Sequence, residues 1–128
     1  MISLGGKVVA EGKNSIWVPE WDAGRHAEME ALRRVPPELR PRLREMTLYT
    51  TLEPCLMCAG AILLHHVGRI VFGSFDSYGG AGSALDHLSP YFEAERVDVQ
   101  WMGPALPEEC DPLFERVLVL VQARRQSG

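Results

Sequence analysis

Two cysteines three residues apart, Cys55 and Cys58, stand where a strand-like run gives way to a helix-like one, and this junction limits what the chain can be more than any other feature. Thr47–Leu52 is rich in Thr, Leu and Tyr and predicts a strand. Glu53-Pro54 ends it, and Cys55–His66 predicts a buried helix. At the start of a helix, side chains three apart share a face, and the unpaired amides and helix dipole favour thiolates over thiols. Only one further cysteine, Cys110, is present, so the three cannot all pair with one another. In a reducing compartment such spacing means metal or redox chemistry.

The decision between the two comes from a second helix. His26–Arg34 carries Ala27, Ala31 and Leu32 at helical spacing, Asp22 precedes it as a prospective cap, and Val35-Pro36-Pro37 stops it. His26 with Cys55 and Cys58 supplies three ligands of a tetrahedral zinc and leaves the fourth position for water, the arrangement of a catalytic site. A closed structural site would need a fourth ligand from His65, His66, His87 or Cys110. His65 follows Cys58 by about 10 Å of helix at roughly 1.5 Å per residue, too far to share the ion, so His65 and His66 read as helix-end residues. A thiol–disulfide domain would use Cys55 and Cys58 but would leave His26-Ala27-Glu28 without a role. Zinc brings its water to a pKa of roughly 7, and the protein must then move protons; Glu28, next to a ligand and not needed by the metal, is the expected carrier.

The remaining elements bound the architecture. Ile2–Leu4 and Lys7–Glu11 flank Gly5-Gly6 and predict a hairpin. Asn14–Arg25 predicts a loop, Gly68–Gly73 a strand, and Ser74–Ser83 a glycine-rich loop beyond that strand, a favoured ligand position. Val97–Met102 predicts another strand, and Glu108–Arg125 a last helix with Leu113, Phe114, Val117, Leu118 and Leu120 as its apolar face. Helices interleaved with strands over 128 residues predict one α/β domain, 1–128. A net charge of −4 offers no general field for nucleic acid, and no apolar run approaches the roughly 18 residues of a membrane span. The start carries no basic-then-apolar leader, so a cytoplasmic protein is expected.

These residues resemble the zinc-dependent cytidine and adenosine deaminase superfamily, whose members share His-x-Glu and Pro-Cys-x-x-Cys. Thr51-Leu52-Glu53-Pro54-Cys55, Cys58-Ala59-Gly60-Ala61-Ile62, Gly68-Arg69-Ile70-Val71-Phe72-Gly73 and Gly80-Ala81-Gly82-Ser83 look like its bacterial tRNA adenosine deaminase branch, as does Glu109-Cys110. The resemblance runs from about Lys7 to Arg125. It implies a three-layer α/β/α cytidine-deaminase-like fold around a central mixed sheet, here without the usual N-terminal helix, so that a partner subunit, the last helix or an upstream start must cover one sheet face. It also implies a bound Zn2+, a homodimer, and a zinc-activated water that releases ammonia from the exocyclic amine of a nucleobase, nucleoside or related heterocycle, the alternative being adenosine at the wobble position of tRNA. Among substrate contacts it implies the backbone at Ala27, Pro54 with the start of the Cys55 helix, Asn14, which matches an asparagine that holds base or sugar, and Asp76, which is equally a simple turn residue.

Two departures fall near the pocket. The loop after Phe72 is one residue shorter than in tRNA enzymes, and Trp17-Val18-Pro19-Glu20-Trp21-Asp22 is foreign to them. Trp17 and Trp21 are placed to stack on a base or to pack at a subunit contact. Arg33, Arg34, Arg40, Arg42 and Arg44 form the one basic cluster, diluted by Glu30, Glu38 and Glu45, and read as a solvated face. Together with the acidic pI of about 5.5, these features favour a free base or nucleoside over tRNA.

Overall fold

In the computed structural model, which describes residues Met1–Gly128, Gly5 and Gly6 take φ of 57° and 79°. That backbone turns β1 (Ile2–Leu4) directly into β2 (Lys7–Ala10). β1 also pairs antiparallel with β3 (Thr47–Leu52), which runs parallel to β4 (Arg69–Ser74), itself parallel to β5 (Gln100–Met102). The result is a mixed five-stranded sheet of order β2-β1-β3-β4-β5.

The register aligns Ile2, Ala10, Leu48 and Ile70 on one face. There they meet Ala31 and Leu32 of α1 (Ala27–Arg34) and Ile62 and Leu63 of α2 (Leu56–Leu64) in one core cluster, with Phe92 of α3 (Pro90–Val97) packed against it. The opposite face carries Val8, Tyr49 and Met102, all exposed. α4 (Pro107–Ser127) reaches that side at Gly73, where a Cβ would run into the Cys110 Sγ. Helices on both faces of the mixed sheet make the expected three-layer α/β/α arrangement, with the α4 layer thin.

Four expectations change. Asp22 does not cap α1: its carboxylate accepts from Gly24 N–H at 2.7 Å in a local turn, and His26 takes the N-cap position instead. The strand expected from Val97 begins only at Gln100, because Ser89-Pro90 opens α3 and Val97 is its last residue. The helix expected over Cys55–His66 is Leu56–Leu64, with Cys55 and His65 as its caps and His66 turning away at φ 57°. The apolar residues of α4 do not enter the core. Leu113, Val117 and Leu120 are each about half exposed, while the start of α4 meets the sheet through Cys110 at Gly73 and Asp111 at Ser74.

The segment between α1 and β3 is a 3-10 helix, Pro37–Glu45, whose prolines prevent a regular α-helical ladder. It and the end of α1 hold the arginine cluster, and most of its charge is paired. Arg33 and Arg34 reach the buried Glu30 at 3.1 and 3.3 Å, Arg42 reaches Glu45 at 2.8 Å, and Arg44 reaches Glu95 at 3.7 Å. Arg25, whose Nε lies 3.2 Å from Glu30, is the main reason the Glu30 carboxyl is held below its ordinary range.

Candidate active site

Both helices that carry the sequence motifs begin at the same place. His26 is the N-cap of α1 and Cys55 the N-cap of α2, each in extended backbone, so each side chain projects from the mouth of a helix whose first amides lack intrahelical partners. Cys58 follows one turn into α2 and is fully buried. His26 Nδ1 lies 3.6 Å from the Sγ of Cys55 and 3.6 Å from that of Cys58. Tetrahedral zinc with ordinary Zn–S and Zn–N bonds would separate such ligand atoms by about 3.6 Å. The three ligand atoms fall within 4.8 Å of one another, and no fourth His, Cys, Asp or Glu joins the group.

The donor set is also electrostatically ready. The Cys58 thiol, then the His26 ring, bring the Cys55 thiol down to about 4, with help from the Cys58 backbone N–H. The same pairing with Cys55, reinforced by burial and by the nearby Glu28, pushes Cys58 well up. A divalent cation that takes both sulfurs as thiolates releases whatever protons they carry. These residues fit zinc.

Glu28, on the first turn of α1, is 9% exposed and stands against this group. Its Oε1 accepts from Thr50 Oγ1 at 3.2 Å, and its Oε2 accepts from the Cys58 thiol at 3.6 Å. Thr50 was not anticipated; the signal was its place between Leu48 and Leu52 on the inward face of β3, opposite the helix that carries Glu28.

A cleft of about 410 Å³ opens onto these groups. Its floor is His26, Ala27, Glu28, Cys55 and Thr50, with Asn14 and Asp76 at its sides. One wall is apolar: Leu113, Phe114, Val117, Leu118 and Val121 of α4. That wall takes Leu113, Phe114, Val117 and Leu118 of the expected apolar face, while Leu120, 56% exposed, lies outside it; periodicity alone could not show that these residues face a cleft instead of a core.

The other expected contacts sort differently. Asn14 lines the cleft, its Oδ1 accepting from Ile16 N–H at 3.2 Å. Asp76 lines it too and acts as a turn residue, Oδ1 accepting from Tyr78 and Gly79 N–H at 2.9 and 2.8 Å. Pro54 is fully buried behind the cleft, its carbonyl accepting from Ala81 N–H at 2.9 Å. Trp17 and Trp21 are not brought to the lining. Bonds from Ser15 N–H to Arg25 O (2.9 Å) and Asp22 N–H to Ile16 O (2.8 Å) fold their loop outward, and the Arg124 guanidinium lies 3.6 Å from the Trp17 ring centre.

Residues 1–74, more than half of the chain, match the cytidine and deoxycytidylate deaminase zinc-binding region. The chain belongs to this deaminase family. Within it, the chain is 37% identical over 113 residues to a tRNA-specific adenosine deaminase of Bacillus subtilis (strain 168), covering 86% of the chain and 68% of that protein. It is 37% identical over 121 residues to a tRNA-specific adenosine deaminase of Haemophilus influenzae, covering 93% and 66%. The deaminase chain thus spans about two thirds of the length of both relatives. A solved structure from work on A-to-I editing by tRNA:A34 deaminases superimposes with a TM-score of 0.59 at 29% identity, over 79% of this chain and 72% of that one. A guanine deaminase from Nitrosomonas europaea superimposes at 0.61 over 82% and 62%, and at 20% identity it speaks for the shared fold alone. No helix of the deaminase chain is long and apolar enough to cross a membrane.

Proposed function

We propose that this deaminase hydrolyses the exocyclic amine of a nucleobase, as free base or nucleoside, and releases ammonia. The observation that carries the reading is the buried Glu28 carboxylate set against the His26, Cys55 and Cys58 group on the floor of a cleft of nucleoside size. When bound by those three ligands, zinc supplies an acidified water at neutral pH. The chain's own residues handle the rest. Glu28 Oε1, oriented by the Thr50 hydroxyl, is free to accept the water's first proton and deliver it to a ring nitrogen, then to take the second proton from the hydroxyl added at the ring carbon and pass it to the amine, which leaves as ammonia. The α4 wall excludes water and packs a flat heterocycle, and Ala27, at the start of α1, offers a backbone N–H.

The context of the base divides two readings. Paired arginines between Arg33 and Arg44 and the net charge of −4 favour a small molecule. The two tRNA-specific relatives favour adenosine in tRNA. Ammonia release measured over free bases, nucleosides and an anticodon stem-loop, each across a salt series, separates them. The expected result is turnover of a free base or nucleoside that is nearly indifferent to salt. Activity confined to the stem-loop and collapsing as salt rises, as several phosphate contacts require, overturns it in favour of tRNA.

The family's zinc cleft is proposed to work in a homodimer joined through α2. Leu56 and Leu64 lie on one exposed stripe of that helix with Gly60 between them. Leu64→Glu should turn a dimer into a monomer by light scattering; a parent protein that is already monomeric refutes the assembly.

A further inference from the structure

Glu53 is buried in the wall of the cleft, yet no lysine, arginine or histidine lies within ion-pair range of it. Buried side-chain oxygens need hydrogen-bond partners, and Glu53 finds its partner in a neighbouring loop. Its surroundings are loop backbone. Oε1 accepts from Asp76 N–H at 3.3 Å, and a Cβ added at Gly80 would overlap Oε1, as one at Gly82 would overlap Oε2. Neither glycine has a left-handed φ; the carboxylate alone crowds Gly82, whereas a Cβ at Gly80 would also meet the Asp76 carbonyl oxygen at 2.6 Å.

The same loop is laced to the segment around Glu53. Glu53 N–H donates to Ser74 O at 2.8 Å, Ala81 N–H donates to Pro54 O at 2.9 Å, and Gly80 bridges Cys55. Within the loop, Gly80 N–H closes on Asp76 O at 3.0 Å. We propose that Glu53 is a positioning residue: its carboxylate docks the Asp76–Gly82 loop against the β3–α2 junction that carries Cys55, and so sets the wall that Asp76 and Tyr78 present to the substrate. The substrate-facing role of that wall rests on the deaminase reading. The docking itself does not, and it can be measured without turnover.

The test is amide hydrogen exchange by NMR on the zinc-loaded full chain. In Glu53→Ala, the amides of Asp76, Gly79 and Gly80 should exchange roughly five- to ten-fold faster, the loss expected for one net hydrogen bond, while those of β3 and β4 keep their rates. Glu53→Gln keeps an acceptor for Asp76 N–H and should restore exchange to near the parent rate. Gly82→Ala is the sharper probe, because Glu53 is the only obstacle its Cβ meets. Alone it should displace the carboxylate and speed the same amides; added to Glu53→Ala it should change nothing further. Should Glu53→Ala fail to fold, Glu53→Asp takes its place in the same comparison. Unchanged exchange in the loop, acceleration spread evenly over the sheet, or an equal effect of Gly82→Ala with and without Glu53 each overturns the proposal.

Discussion

Replacing Cys58 with alanine will cost the protein its metal and much of its stability together. Zinc content should fall from about one per chain to near zero. Losing a ligand-bound state at a concentration some hundred- to thousand-fold above its dissociation constant removes about 3–4 kcal/mol, or roughly 10–20 °C of Tm in a chain of this size. Cys58 belongs to α2 at full burial, flanked by Ala59 and Ile62 of the same buried face, so the site and the helix packing are loaded on one residue. Cys55→Ala, at a half-buried position, should lose the metal equally and lose less packing. Elemental analysis with thermal unfolding decides it. Full zinc in both variants would remove these two cysteines from the ligand set.

The second large effect separates chemistry from binding of the metal. Glu28→Gln keeps the size of the side chain and its acceptor for Thr50, but it cannot take up and return a proton. Zinc content and Tm should stay near the parent values while kcat drops about 10²–10⁴-fold. A variant within a few-fold of the parent, with its zinc confirmed, would mean that another group carries the proton.

Where the sequence was legible, the signals were local and strong. The Gly5-Gly6 turn and the limits of β3 follow from composition alone, because a two-residue turn and a short Thr-rich run each have few conformational choices. The metal group was legible because His26 and Cys55 sit at helix starts, and helix starts are marked by what precedes them, a proline turn at Pro54 and a loop before His26. What stayed hidden depends on distant partners. Asp22 has the right chemistry for a cap but spends it on Gly24. α4 has an apolar stripe whose spacing points to a core, yet four of its five residues line the cleft and Leu120 is exposed outside it. Thr50 and Glu53 are ordinary in sequence. Their roles come from the pairing of β3 with its neighbours and from the loop that folds back after β4.

That placement of α4 makes the molecule divisible. The groups that would bind metal and carry protons all lie before residue 59, on helix starts rooted in the sheet, whereas the apolar wall comes from a helix tied at its base to β4 and at its far end through Arg124 on Trp17 and Arg125 on the Tyr78 hydroxyl. Positions such as Leu113, Val117 and Val121 touch neither the ligands nor the core. Substitution there can reshape the space above the ligands while the residues beneath it stay in place, so the wall and the floor of the cleft are separable by design.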